Sequence, residues 1–247
     1  MEPKKILTED DFLAFYMRKY LETPERYFPK VHTVSTLKIS PDIDLLFVNK
    51  RPKLLVGHEF KLLRYHRGWK RVNYNAMYAG IGEALLYFQH GVDKCYLVLG
   101  LTEMPSEWVD MTLGKIDKAI ENFNMLTKLF TSWSNEIQEN RSKTLPEWAR
   151  KFPVVRPIYE GLGDSEKDKW GFGCFGIMVW TERDRTMRVL KNADQHFPIS
   201  KNPDLKHKKE CLLRGEFKYK KSFLNKALGK LEQNTKEVRL KAKYTLP

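Results

Sequence analysis

The stretch that decides the fold is Ser40-Pro41-Asp42-Ile43-Asp44-Leu45-Leu46-Phe47-Val48, followed closely by Gly57-His58-Glu59-Phe60-Lys61. Apolar runs between turn-forming residues predict two β-strands joined as a hairpin over 41–63. Because side chains alternate between the two faces of a strand, Glu59 and Lys61 share one face. The hairpin is therefore expected to bring Asp44 on one strand close to Glu59 and Lys61 on the next.

Two carboxylates beside a lysine indicate hydrolysis of a phosphodiester with the help of a metal ion. Carboxylate oxygens suit a hard cation such as Mg²⁺, which takes few protein ligands and keeps several waters. A neighbouring lysine can orient a metal-bound water or neutralise charge on a phosphate. Asp42 is predicted to share the face of Asp44, so the choice between these two aspartates stays open. Asp44 is favoured because the apolar strand residues start directly after it.

The motif Pro41-Asp42-Ile43-Asp44, a gap of 14 residues and Glu59-Phe60-Lys61 together resemble the PD-(D/E)XK nuclease superfamily. This superfamily includes many restriction enzymes, archaeal Holliday-junction resolvases and RecB-like nucleases. The resemblance covers roughly residues 8–105. It implies that Asp44 and Glu59 are metal ligands, that the carbonyl of Phe60 adds a third ligand, and that Lys61 positions the attacking water.

Two further residues enter only through this resemblance. Glu83 stands four residues before Tyr87, where RecB-like members place a glutamine, and is expected to hold a water or a second ion. Some members carry a glutamate on the first helix, for which Glu22 is the candidate.

The predicted elements alternate between helices and strands. Helices are expected from Thr8 or Asp10 to Thr23-Pro24, from Val72 to His90 with Gly91 closing it, and from Trp108 to about Ile137. Strands are expected over 31–39, 42–48, 53–63 and 95–101. The fold class is therefore α/β, a restriction-endonuclease-like αβββαβ core with a mixed central sheet flanked by helices.

The chain is divided into a nuclease core at residues 1–145 and a C-terminal extension at residues 146–247 that packs on the core. The extension is expected to contain a β-hairpin, with strands over 171–179 and 186–190, and basic helical segments at 206–214 and 222–232.

The charge of the chain indicates a polyanionic partner. Its 247 residues carry 44 Lys and Arg against 31 Asp and Glu, a formal net charge of +13. Residues 201–247 alone hold 14 basic and 5 acidic side chains. A second basic cluster, with aromatic residues between its cations, begins at Lys61, and four of its members are predicted to bind the backbone of DNA: Arg64, Arg67, Lys70 and Arg71. Cations for phosphates and rings for bases are typical of a nucleic-acid groove.

The N-terminus lacks the apolar segment of a signal peptide, and no apolar run approaches the roughly 20 residues that span a bilayer. The protein is therefore expected to be cytoplasmic, with no membrane partner.

The sequence thus predicts a DNA endonuclease that uses Mg²⁺, with Mn²⁺ as a substitute. The superfamily implies products with 5′-phosphate and 3′-hydroxyl ends, and a homodimer as a candidate assembly. Two alternatives stay open: a DNA-binding or recombination-accessory protein without catalysis on the same scaffold, and a nuclease directed at RNA.

Overall fold

The computed structural model describes residues 6, 8–21, 23–121, 172–197, 199 and 203–223. Its strands are β1 (Tyr27–Val34), β2 (Leu37–Lys50), β3 (Lys53–His66), β4 (Arg71–Val72), β5 (Lys94–Thr102), β6 (Phe175–Thr181), β7 (Thr186–Lys191) and β8 (Phe217–Tyr219). Its longer helices are α1 (Glu9–Tyr20), α2 (Asn75–Leu86), α3 (106–121) and α4 (Pro203–Arg214).

The strands form one mixed sheet in the order β7-β6-β5-β3-β2-β1-β8, and β4 pairs with the end of β3. The pairs β3–β5 and β5–β6 are parallel, whereas β1–β2, β2–β3, β6–β7 and β1–β8 are antiparallel. Helices flank the sheet, which confirms the predicted α/β class with a mixed central sheet.

Each face of the sheet carries its own apolar core. On one face α1 buries Phe12 and Tyr16 against Phe60 of β3. On the other face α2 and α4 cover the sheet, with Met77 and Leu212 among the fully buried residues. β3 therefore lies between two helical layers.

The predicted ends of α1 and α2 are close to the observed ones. Thr8 caps α1 and accepts a hydrogen bond from the backbone N–H of Asp11, whose carboxylate accepts one from the N–H of Thr8 in return. The second helix starts at Asn75, three residues later than predicted, because Val72 belongs to β4. After Leu86 the chain continues as a 3-10 turn (Tyr87–His90), which Gly91 closes with a φ of +81°.

The single strand predicted over 31–39 is wrong. Residues 27–34 form β1, the chain turns at 35–36, and β2 then runs without a break from Leu37 to Lys50. Pro41 is tolerated inside β2 because the β1–β2 register shifts between Val31 and Thr33, so no regular ladder bond is required of its missing N–H.

The C-terminal part of the chain supplies the outer strands on both sides of the sheet. β6 pairs with β5 on one side, and β8 pairs with β1 on the other. The predicted hairpin near 171–190 is confirmed as β6–β7, and the helix predicted at 206–214 is confirmed as α4. The predicted boundary at 145/146 and most of the predicted helix at 222–232 lie outside the described residues. In the described part of the chain, no helix combines the length and apolar character needed to cross a membrane.

Candidate active site

The site forms where β2 and β3 separate. The two strands are paired from Lys50 and Lys53 up to Leu45 and His58. Beyond that point β2 continues along β1, where Ile43 pairs with Val31, and β3 continues along β5. A gap therefore opens in the sheet directly after the Leu45–His58 pair, and the next residue on each strand is Asp44 or Glu59.

Asp44 is buried and bridges the gap. Its Oδ2 accepts a hydrogen bond from the backbone N–H of Phe60 at 2.9 Å, so that the side chain takes the place of a missing ladder partner. Its Oδ1 accepts a hydrogen bond from Nζ of Lys30 on β1 at 2.6 Å. Asp42, by contrast, has an exposed side chain, and its backbone carbonyl lies 3.1 Å from the hydroxyl of Tyr87. Of the two aspartates, the one that faces Glu59 across the gap is Asp44.

Glu59, Lys61 and Glu83 form a connected group on the α2 side of the sheet. Nζ of Lys61 lies 2.7 Å from Oε1 of Glu59 and 2.8 Å from Oε2 of Glu83. α2 can approach β3 this closely because its residue 80 is glycine: a Cβ there would lie 2.7 Å from Cγ of Lys61. The structure thus brings together all four side chains predicted as catalytic: Asp44, Glu59, Lys61 and Glu83.

Tyr87, in the 3-10 turn after α2, forms hydrogen bonds to both β2 and β3, the strands that carry Asp44 and Glu59. Its buried hydroxyl accepts a hydrogen bond from the backbone N–H of Asp44 at 3.1 Å and donates one to Oε2 of Glu59. Its ring lies over Gly57, where a Cβ would come within 2.7 Å of Cδ2. A glycine on β3 is therefore required for the ring to reach this position.

The N-terminus of α1 adds two acids that sequence reasoning missed. Glu9 lies 3.7 Å from Nζ of Lys61, and Asp10 lies 3.2 Å from Nζ of Lys30. Lys30 was missed as well, because only the pairing of β1 with β2 brings it to Asp44. The signal available in the sequence was the acidic start of a helix, Glu9-Asp10-Asp11. The candidate proposed for the first helix, Glu22, lies outside the described residues.

Acids outnumber cations in this site, and the pKa values reflect it. Burial, together with the charge of Asp44, raises the pKa of Glu59 well above that of an ordinary glutamate. Partial burial alone would lower the pKa of Lys61, but the charge and hydrogen bond of Glu59 outweigh it and raise that pKa. Burial would raise the pKa of Glu83, yet hydrogen bonds with Glu59 and Lys61 lower it. Lys61 is therefore a permanent cation here, and Glu83 is ionised.

The donor set fits a small divalent cation. Asp44 and Glu59 supply two buried carboxylates, and the charge of Asp44 adds to burial in raising the pKa of Glu59, an effect that a bound cation would oppose. The N–H of Phe60 points towards Asp44, and because a strand residue directs its N–H and C=O to the same side, the carbonyl of Phe60 faces the gap as well. Among the described residues, no group of three or more His, Cys, Asp or Glu side chains is arranged to hold a metal. Mg²⁺, however, is commonly held by one or two carboxylates and water.

The cations predicted to bind nucleic acid lie at the far end of β3. Residues 64–71, called the basic turn below, comprise the last residues of β3, a 3-10 turn (Arg67–Trp69) and the start of β4. All four predicted phosphate-binding side chains are exposed there, namely those of Arg64, Arg67, Lys70 and Arg71. None of them has an ion-pair partner in the part of the chain that the structure describes.

No protein-family model, curated protein or solved structure matches the chain significantly.

Proposed function

We propose that the protein is a Mg²⁺-dependent DNA endonuclease of the PD-(D/E)XK type with a restriction-endonuclease-like core. The observation that carries the proposal is the convergence of Asp44, Glu59 and Lys61 at the gap between β2 and β3. Two carboxylates on adjacent strands with a lysine two residues beyond the second one make up a hydrolytic site for phosphodiesters. The exposed cations of the basic turn continue from the same strand and supply affinity for a nucleic-acid backbone.

Each residue has a defined task in this proposal. Asp44, Glu59 and the carbonyl of Phe60 would hold the cation, which when bound would polarise the scissile phosphate and lower the pKa of water. Lys61 stays protonated because Glu59 and Glu83 raise its pKa, so it acts as a hydrogen-bond donor that aligns the attacking water, and not as a base. Glu83 fixes the ammonium of Lys61 from α2. Lys30 neutralises Asp44 from β1.

Nicking of supercoiled plasmid DNA in Mg²⁺ or Mn²⁺ tests the proposal. We expect Glu59→Ala and Lys61→Ala to abolish nicking while they retain DNA binding. Lys53→Ala is the matched control, because Lys53 lies on the same strand but pairs with Glu210 at the surface. Asp44→Ala should abolish nicking and Asp42→Ala should not. Full activity of Lys61→Ala would refute the assignment.

The same assay separates the two alternatives. Tight DNA binding without cleavage in any divalent cation would identify a DNA-binding or recombination-accessory protein. Faster cleavage of RNA than of DNA of the same sequence would identify an RNA-directed nuclease. The intact carboxylate pair with its lysine favours catalysis over the accessory role.

A further inference from the structure

The basic turn carries an exposed aromatic group that the proposed chemistry does not use. The ring of His66 is stacked on Trp69, with centroids 4.3 Å and planes 14° apart. The guanidinium carbon of Arg71 lies 4.6 Å from the centroid of the indole. Trp69 nevertheless remains 64% exposed, although tryptophan is highly buried on average. Most of the surface of this side chain is therefore accessible to a partner.

A cleft opens beside this aromatic group. Its volume is about 340 Å³, within the range of small-ligand sites. The lining runs from the last residue of β3 through the 3-10 turn, β4 and the connection after it to the first residue of α2: His66, Trp69, Arg71, Val72, Asn73, Tyr74 and Asn75. Aromatic and amide groups beside a guanidinium are suited to a planar, polar ring with a phosphate attached, which is the chemistry of a nucleotide.

The cleft lies within reach of a DNA strand that passes through the catalytic gap. Five residues of β3 separate Lys61 from His66, a distance of about 16 Å. Eight residues of α2 separate Asn75 from Glu83, about 12 Å along the helix axis. Both paths connect the cleft to the Lys61–Glu83 contact. At about 3.4 Å per nucleotide in one strand of B-form DNA, this span corresponds to about four nucleotides.

We propose that this cleft binds one unpaired nucleobase of the DNA substrate, about four nucleotides from the scissile phosphate. A base inside a duplex is stacked on both sides and cannot offer its face to Trp69, whereas a base in a single strand, bulge or flap can. The cations of the basic turn hold the adjoining phosphates. This inference rests on the proposed action on DNA and narrows it to DNA that contains unpaired nucleotides.

Fluorescence anisotropy in EDTA tests the inference without cleavage. Three labelled oligonucleotides of one sequence are compared: a perfect duplex, a duplex with a one-nucleotide bulge, and a single strand. We expect Trp69→Ala to weaken binding of the bulged duplex and the single strand about 5- to 150-fold, the usual effect of losing one base–aromatic stack. Binding of the perfect duplex should change less than about twofold.

Two variants serve as controls. Trp69→Phe keeps an aromatic face and should retain most of the affinity for unpaired DNA. Leu37→Ala removes an equally exposed apolar side chain outside the basic turn and should change nothing. Because Trp69 is mostly exposed, thermal melting of Trp69→Ala should match that of the wild type.

The outcomes discriminate between the two proposals. Equal weakening of all three oligonucleotides by Trp69→Ala, or of none, would overturn the base-stacking inference while plasmid nicking could still succeed. Displacement of the bulged duplex by a free nucleoside monophosphate at micromolar concentration would also overturn it in favour of a mononucleotide site. Selective loss of unpaired-DNA binding by Trp69→Ala, with no cleavage of the plasmid or of the bulged duplex by the wild type in any metal, would refute the nuclease and leave the stacking site standing.

Discussion

The hydroxyl of Tyr87 offers a test of how the site is held together. Tyr87→Phe removes one oxygen atom that accepts a hydrogen bond from the N–H of Asp44 and donates one to Glu59. The ring, which is fully buried against β3, is kept. The variant therefore breaks the link between the two carboxylate strands without creating a large cavity.

The expected loss of stability follows from the two partners. Because Glu59 keeps its proton in the folded state, its hydrogen bond with Tyr87 contributes about 0.5–1.5 kcal/mol, and a buried N–H left without an acceptor costs about 1–3 kcal/mol. The two losses add to about 1.5–4.5 kcal/mol, so we expect the free energy of unfolding to fall by about 3 kcal/mol. Groups that orient metal ligands typically change metal affinity or activity by about 10- to 100-fold when removed, so nicking should fall by that factor.

Tyr96→Phe is the matched control. The hydroxyl of Tyr96 also accepts a backbone hydrogen bond, from Ala193, and donates to a side chain, Asn192, but both partners lie far along the chain from the carboxylates. It should destabilise the protein by about 1 kcal/mol and leave nicking unchanged. Urea unfolding and plasmid nicking measure both effects. A stability loss below about 0.5 kcal/mol in Tyr87→Phe, or an equal loss of nicking in Tyr96→Phe, would refute the reasoning.

Three further predictions concern stability. Because its pKa is raised, Glu59 keeps a proton in the folded state that the unfolded chain releases. The free energy of unfolding should therefore fall as pH rises above about 4.3, by up to about 1.4 kcal/mol per pH unit. Urea unfolding of Glu59→Gln should show a flatter dependence on pH. Burial lowers the pKa of His90 to about 4. As pH falls from about 6.5 to 4, the unfolded chain binds a proton there that the folded state does not, so the free energy of unfolding should fall by about 3 kcal/mol. His90→Phe should abolish this loss, and an unchanged dependence of stability on pH in this variant would contradict the prediction. Lys209→Met should lower the free energy of unfolding by about 3 kcal/mol, because it leaves the carboxylate of Asp93, which is 2% exposed, without its ammonium partner. Lys206→Met, on the exposed side of α4, is the control and should leave thermal melting unchanged.

The proximity of Asp44, Glu59 and Lys61 could be predicted from the sequence because it depends on local rules, whereas Glu83 entered only through the resemblance to RecB-like nucleases. Alternation along β3 places Glu59 and Lys61 on one face, and a hairpin brings Asp44 opposite to them. Lys30 and Glu9 could not be found in this way, since they reach the site through the pairing of β1 with β2 and the packing of α1. These contacts depend on the whole sheet, and no spacing in the chain encodes them.

The misplaced first strand has an equally specific cause. The turn between β1 and β2 is made by Ser35, which takes a φ of +55° without being glycine or asparagine, so the usual turn signal is missing. Ser40-Pro41, by contrast, has the composition of a turn but lies inside β2. Local composition therefore pointed to the wrong break, and the long-range pairing of β1 with β8 and β2 decided the true one.

The positions of β6 and β8 have a consequence for the order of folding. β5 needs β6 as its outer neighbour, and β1, which carries Lys30, needs β8. During synthesis the carboxylate pair leaves the ribosome early, but the strands that complete the sheet on either side follow more than seventy residues after β5 and about 180 residues after β1. Such non-local pairing slows folding. We therefore expect the proposed nicking activity to appear only after β8 has been made.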